Sequence, residues 1–273
     1  MTFNELWRPL TTIYDEGEAR AIALLVLEER FGLSQADVLY GRMGNESELL
    51  HIQRSLLAGC PVQYVLGQAM FGGRSFHVEP GVLIPRPETY ELCEWVVSEQ
   101  RRKEKAATEI LDIGTGSGCI ACTLAAELAD SHVTAWDISP DALRIAKGNA
   151  RKLGINVVFE EVDILSASST RVWDVIVSNP PYICQQEATA MERNVLDYEP
   201  HEALFVPDND PLLFYRAIAA HARQSLRSDG TLYFELNPLY AGMLAEMLGT
   251  MGFINMETRQ DQYGKTRMMK AER

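Results

Sequence analysis

The run Ile110-Leu111-Asp112-Ile113 is apolar, short, and breaks directly into Gly114-Thr115-Gly116-Ser117-Gly118 before a helical pattern begins. A strand, a glycine-rich turn and a helix in immediate succession leave few folds open. From Thr89 onward the same alternation continues. Strands are expected at Glu109–Ile113, His132–Asp137, Val157–Val162, Val172–Ser178, Thr231–Leu236, Phe253–Glu257 and Arg267–Lys270. Helices are expected at Gly118–Leu128, Pro140–Leu153, Pro211–Leu226 and Leu239–Met251. Alternation of this kind implies an α/β fold, Rossmann-like, with a seven-stranded, mostly parallel sheet covered by helices on both faces. Ligands of such sheets sit beyond the carboxyl ends of the strands.

The part before this reads differently. Residues from about Thr2 to Tyr64 carry helical spacing throughout, in Ala21, Leu24 and Leu25 and again in Leu49, Ile52, Leu56 and Leu57. Ser34 stands as an N-cap, and Gly59 with Pro61 as a helix stop. Phe71-Gly72-Gly73-Arg74-Ser75-Phe76 places a glycine pair between aromatics, a hairpin signal. The expected organisation is an N-terminal helical bundle over residues 1–66, a β-hairpin connector over 67–88 and a catalytic domain over 89–273.

Three motifs fall at expected strand ends. The first is Gly114-Thr115-Gly116-Ser117-Gly118, whose glycines permit φ > 0 and close approach of a ligand to the backbone. Its spacing is G-x-G-x-G, whereas the dinucleotide fingerprint is G-x-G-x-x-G. That difference favours the amino-acid part of S-adenosylmethionine, which has no pyrophosphate to neutralise. The second is Asp137, about 20 residues on, the spacing at which a carboxylate meets ribose hydroxyls. Support of the next helix is the bland role for Asp137, but Ser139-Pro140 already supplies an N-cap and an N1 proline. Asp163 is expected at the adenine amino group, with Ile164 packed on the base. The third motif is Asn179-Pro180-Pro181-Tyr182. Residues before proline are held extended and prolines lack an N–H, so this strand end is stiff and cannot continue a ladder. The Asn179 amide oxygen and the Pro180 carbonyl remain as convergent acceptors beside the Tyr182 ring. Two acceptors that grip the N–H bonds of an amide or amino nitrogen localise its lone pair and aim it at a methyl sulfonium.

Charge and cysteine usage trim the alternatives. The net charge is −13, which disfavours a protein that grips duplex nucleic acid through phosphates and favours a basic protein partner. Five cysteines in 273 residues suit reduced thiols rather than a disulfide framework. Cys119-x-x-Cys122 has no second pair at ligand spacing and is expected in a buried helix, so no metal site is expected. No charged-then-apolar leader opens the sequence, and Ala19–Leu27 is too short to span a bilayer, so a cytoplasmic protein is expected.

Taken together, the motifs resemble the HemK/PrmC family, and the resemblance runs across nearly the whole chain. It rests on Pro61-Val62-Gln63-Tyr64, Phe71-Gly72, Ile84-Pro85-Arg86-Pro87-Glu88-Thr89, Leu111 to Ile120, Ser178 to Ile183, and Tyr198-Glu199-Pro200 followed by Ala203-Leu204. The Asn-Pro-Pro-Tyr motif alone is shared with adenine-N6 and other amino methyltransferases, whereas the Ile-Pro-Arg-Pro-Glu-Thr segment is far more specific. The resemblance implies a class I methyltransferase fold and methyl transfer from S-adenosyl-L-methionine to the glutamine N5 in the Gly-Gly-Gln motif of peptide chain release factors. It implies that Gly114 to Gly118 and Asp137 hold the cofactor, with Asn179 at its edge. Asn179, Pro180, Pro181 and Tyr182 would hold the glutamine, Arg86 and Glu88 would line the pocket, and the bundle and hairpin would dock the release factor. Asn179, Pro180 and Tyr182 are the expected catalytic groups. The chain departs from the family at Glu235-Leu236-Asn237-Pro238-Leu239-Tyr240, which replaces a stretch commonly carrying glycine and glutamine, and at Tyr90, where an acidic residue is common. An adenine-N6 methyltransferase acting on DNA or RNA is the alternative, since the same loop could grip a flipped base.

Overall fold

A computed structural model describes residues 1–103, 107–168 and 170–273. The chain divides into two compact units, residues 1–68 with 191–199, and residues 69–190 with 200–273. The hairpin thus belongs with the sheet-bearing unit, and a short later segment is drawn into the helical one.

The first unit contains α1 (Phe3–Trp7), α2 (Glu16–Phe31), α3 (Gln35–Leu39), α4 (Glu46–Leu57) and α5 (Val62–Leu66). Local signals explain its boundaries. Asp15 caps α2 by accepting from Glu18 N, and Gly32 closes it in the left-handed region at φ 66°. Ser34 begins α3 with a reciprocal capping box to Asp37. Leu6, Leu10, Leu27, Leu49 and Leu56 are fully buried in a common core, each stabilising by about 1.5–3 kcal/mol. Gln53 and Glu199 are buried polar groups of this unit, and the Gln53 amide donates to the Glu5 and Leu6 carbonyls at 2.7 and 2.8 Å. Residues 191–199 add a short helix, and the Tyr198 hydroxyl donates to the Ala58 carbonyl at 2.9 Å.

From Ala69, the second residue of β1 (Gln68–Phe71), the second unit continues with β2 (Arg74–His77) and α6 (Pro87–Arg102). Next come β3 (Thr108–Ile113), α7 (Cys119–Glu127), β4 (Ser131–Asp137), α8 (Pro140–Leu153), β5 (Val158–Glu161), β6 (Trp173–Ser178) and β7 (Ile183–Cys184). With the helix at 193–198 numbered α9, the remainder is β8 (Phe205–Val206), α10 (Leu213–Ser225), β9 (Leu226–Glu235), α11 (Ala241–Thr250), β10 (Ile254–Gln260) and β11 (Thr266–Glu272). Seven strands form one sheet in the order β10-β11-β9-β6-β3-β4-β5. Its ladders are parallel except where β11 runs against β9 and β10. Central strands covered on both faces must be apolar throughout, and every residue of β6 is buried. Its one acid, Asp174, accepts from Glu109 N at 2.8 Å and pairs with Arg227 at 3.0 Å.

Two features depart from the expected elements. β9 starts at Leu226 rather than Thr231, because its register to β6 jumps from Trp173↔Leu226 to Val175↔Thr231. The chain bulges through Ser228-Asp229-Gly230, which reads as a plain turn in sequence. β7 and β8 form a two-residue parallel ladder, too short to leave a periodic signal.

The register also fixes the site. Ile113 pairs with Trp136 on one side and Ser178 on the other, and Ser178 pairs with Phe234. The carboxyl ends of β4, β3, β6 and β9 therefore lie in a row, carrying Asp137, Gly114, Asn179 and Glu235 in that order.

Candidate active site

The glycine loop is built by bonds to neighbouring strands. Gly114 N and Thr115 N both donate to the Trp136 carbonyl, at 2.9 and 3.0 Å. Gly116 N donates to Asp137 Oδ2 at 2.8 Å, so the loop and the acidic strand end are one constellation. Asp137 Oδ1 accepts from Ser139 N at 2.9 Å, while Ser139 caps α8 through Ala142 N. Asp137 therefore also supports the turn into α8, the role that the Ser139-Pro140 signal seemed to make unnecessary. Each of its carboxylate oxygens keeps lone-pair capacity for a further donor. Burial raises its pKa against the pull of these backbone donors.

Within the loop, Gly114, Gly116 and Gly118 take φ of 74°, 54° and 80°. A Cβ built on Gly114 or Gly116 would meet nothing within 4 Å, so these two leave an open cradle. A Cβ on Gly118 would instead meet Ala146 Cβ at 3.0 Å, so this glycine lets α7 and α8 approach. Ser117 is buried, and its carbonyl accepts from Asn149 Nδ2 at 2.9 Å. Asn149 also exchanges hydrogen bonds with the His77 backbone, which ties β2 to the glycine loop. Beneath the cradle, Asp112 Oδ2 accepts from the Thr115 hydroxyl at 2.7 Å and from Ala121 N at 3.2 Å. Its Oδ1 is buried with no hydrogen-bond partner among the described residues. Burial pushes the Asp112 carboxyl up to about 7. An orphaned acceptor under an open glycine cradle fits a ligand that brings an ammonium group, as the amino-acid end of S-adenosylmethionine does.

Asp163 lies beyond β5, where Val162 N donates to the Asp137 carbonyl at 2.9 Å. Its carboxylate accepts from Leu165 N at 2.9 Å and thus organises its own turn. Ile164 packs on the core cluster that holds Leu111, Ile113 and Trp136.

The Asn179-Pro180-Pro181-Tyr182 loop leaves β6 between α6 and the end of β9. Asn179 Nδ2 donates to Thr89 Oγ1 at 3.3 Å. Thr89 Oγ1 donates in turn to Glu235 Oε2 at 2.6 Å, and the Tyr182 hydroxyl donates to Glu235 Oε1 at 3.0 Å. Asn237 Nδ2 donates to the Tyr182 carbonyl at 3.2 Å and to the Glu187 carboxylate at 3.1 Å. The Tyr182 end of the loop is thereby fixed by Glu235 and Asn237, from the stretch that departs from the family pattern, and the Asn179 end by Thr89, itself bonded to Glu235. Thr89, Glu235 and Asn237 are all buried. Burial raises the Glu235 pKa, Thr89, Tyr182 and Arg267 pull it down, and the nearby Glu88 pushes it up. Burial and the Glu235 charge carry the Tyr182 phenol well above its ordinary range.

Other residues singled out from sequence fall as follows. Arg86 is the N-cap residue of α6 and its guanidinium donates to the Ile84 carbonyl at 3.1 Å. Glu88 sits in the first turn of α6. The Tyr90 ring packs edge-on against Phe71 at 5.5 Å and covers Gly72, so it secures the hairpin. Cys119 and Cys122 are buried and unpaired, and burial pushes both thiols up to about 12. Thiols held protonated in this way are poor nucleophiles and poor ligands. Glu235 is the residue that sequence reasoning missed. Its signal is an acid inside the apolar run Thr231-Leu232-Tyr233-Phe234-Glu235-Leu236 at a strand end, where burial needs a polar partner.

A mostly parallel sheet of this order, with an open glycine loop bonded to the acidic end of the next strand, defines a class I S-adenosylmethionine-dependent methyltransferase. Residues 97–197 match the family model described as "Methyltransferase small domain". The chain is 44% identical to the release factor glutamine methyltransferase of Bacteroides thetaiotaomicron, over 97% of this chain and 96% of that protein. It is 40% identical to the enzyme of the same name from Flavobacterium psychrophilum, over 96% and 94%. This chain belongs to the release factor glutamine methyltransferase family. Among solved structures, a ribosomal protein L11 methylase from Lactobacillus delbrueckii subsp. bulgaricus shares the fold, with a TM-score of 0.52 and 20% identity over 72% of this chain and 83% of that one.

Proposed function

We propose that this protein transfers the methyl group of S-adenosyl-L-methionine to the N5 side-chain nitrogen of the glutamine in the Gly-Gly-Gln motif of peptide chain release factors. The observation that carries this reading is the stiff Asn179-Pro180 strand end, whose amide nitrogen is engaged by Thr89 and whose Oδ1 is left as an acceptor.

Bound S-adenosylmethionine supplies an electrophilic methyl group on a sulfonium. Gly114, Thr115, Gly116, Ser117 and Gly118 cradle its amino-acid end, and Asp137 receives the ribose hydroxyls. Asp163 and Ile164 bound the adenine, and Asn179 meets the cofactor's edge. Asn179 Oδ1 and the Pro180 carbonyl accept the two N–H bonds of the substrate glutamine. An amide nitrogen is a weak nucleophile because its lone pair is delocalised into its carbonyl. Two fixed acceptors localise that pair and hold it in line with the methyl group, and they need no reorganisation as charge develops. The bond formed is N5–CH₃, the bond broken is the methyl–sulfur bond, and the nitrogen sheds one proton to solvent. Pro181 stiffens the loop, the Tyr182 ring flanks the glutamine, and Arg86 and Glu88 line its approach.

The helical unit and the hairpin contribute docking surface, and the net charge of −13 suits a basic protein rather than a polyanion. Among the described residues no helix is long and apolar enough to cross a membrane; a release-factor substrate supports a cytoplasmic location. The test is transfer of labelled methyl from S-adenosylmethionine to a purified release factor, with adenine-containing DNA and RNA in parallel. Label in the factor, lost when the motif glutamine becomes glutamate, is expected. Label in the nucleic acid, or in the glutamate variant, would overturn this reading.

A further inference from the structure

Asn179 can serve as an acceptor only if its amide is held one way round, and an isolated asparagine has no such preference. The hydroxyl of Thr89 holds a single proton. It lies 2.6 Å from Glu235 Oε2, and a carboxylate can only accept, so that proton is committed to Glu235. Thr89 Oγ1 then presents lone pairs alone, and the Asn179 group that faces it at 3.3 Å must be the NH₂. The other oxygen of Glu235 takes the Tyr182 hydroxyl proton at 3.0 Å. One buried carboxylate therefore sets the hydrogen-bond polarity of both side chains of the loop.

We propose that Glu235 is a positioning residue for methyl transfer, its carboxylate fixing the Asn179 amide through Thr89 so that Oδ1, and not the NH₂, meets the substrate nitrogen. This rests on the function proposed above and assigns a role to a residue that touches neither substrate nor cofactor. If Glu235 were a donor, Thr89 would turn its own proton toward Asn179 and the amide would be satisfied the other way round. An NH₂ would then oppose the N–H of the glutamine, donor against donor. The same carboxylate adds a buried negative charge beside the acceptor site, which disfavours a glutamate side chain in place of glutamine.

Glu235→Gln keeps the size of the side chain and leaves one acceptor oxygen for two hydroxyl donors, so Thr89 and Tyr182 can no longer both be held as donors. Steady-state kinetics with a release factor should show kcat falling at least tenfold, with the KM for S-adenosylmethionine and the thermal midpoint near those of the parent. Thr89→Val should fall to a similar degree, Thr89→Ser should retain most activity, and the Glu235→Gln/Thr89→Val pair should lose little more than either change alone. The parent kcat should also decline toward acid at a pH above the ordinary glutamate value, because burial raises the Glu235 pKa and its protonation creates the same wrong donor; the Gln variant should lack that limb. Parent-like kcat in Glu235→Gln, or in Thr89→Val, overturns the inference. So does a collapse of cofactor affinity and thermal midpoint together, which would make Glu235 a purely structural residue. A parent enzyme that methylates no release factor overturns the proposed function itself, and is told apart because it fails before any variant is compared.

Discussion

Asn179 and Asp137 sit two strands apart in the sheet, and their substitution should separate two functions. Loss of the Asn179 amide in Asn179→Ala removes one of two acceptors at the reacting nitrogen. Turnover should fall by roughly 2.7–4 kcal/mol of barrier, by analogy with the loss of one oxyanion-hole donor. Cofactor affinity measured by calorimetry should fall far less, because Asn179 meets only the cofactor's edge. Asp137→Ala should do the reverse, since it removes a charged acceptor and releases Gly116 N from its 2.8 Å bond. Cofactor affinity should weaken about tenfold or more, the scale of a hydrogen bond to a charged group at ~1.5–3 kcal/mol. An unchanged affinity would remove Asp137 from the cofactor site. Residues legible in the sequence at this scale are those whose meaning is local. Gly114 to Gly118 and Asn179 to Tyr182 announce themselves because stiffness, positive φ and proline chemistry belong to the residues themselves. Glu235 does not, because its partners Tyr182 and Thr89 stand 53 and 146 positions away.

At the scale of elements, the strand–loop–helix unit of β3 and α7 depends on one glycine more than the others. Gly118 is at φ 80°, and a Cβ there would press on Ala146 Cβ and Cα at 3.0 and 3.2 Å. Gly118→Ala should therefore destabilise the protein by about 1–2 kcal/mol from the left-handed backbone alone, and by more from the contact with α8. Thermal unfolding should register a drop of about 2–4 °C per kcal/mol for a chain of this size. A midpoint equal to the parent's would mean that α8 yields at no cost. The parallel strands and their helices were readable because burial on both faces writes an unbroken apolar run, as in β6. The early start of β9 was not, because Ser228-Asp229-Gly230 carries turn chemistry inside a ladder that only the partner strand defines.

For the whole molecule, buried carboxyls set how stability responds to pH. Asp112 is fully buried and its pKa is pushed up to about 7 from 3.8. Between those values the native state keeps a proton that the unfolded chain releases, so stability falls as pH rises through that window. The loss is complete above it. The slope is on the order of 1.4 kcal/mol per pH unit for one such group. Denaturant unfolding between pH 4 and pH 8, without added cofactor, should show this decline. Asp112→Asn should flatten it, and an equally steep decline in that variant would exclude Asp112 as its source.

The helical unit is assembled from residues 1–68 and from 191–199, so the polypeptide passes between the two units at three points rather than one. An appendage joined by a single linker can be gained, lost or exchanged by one recombination event. Here a crossover near residue 68 would hand on a helical unit without its Tyr198 segment, and leave that segment behind in a catalytic unit with nothing to fold against. The helical unit can thus be passed on whole only together with residues 191–199, whose Tyr198 hydroxyl bonds the Ala58 backbone carbonyl.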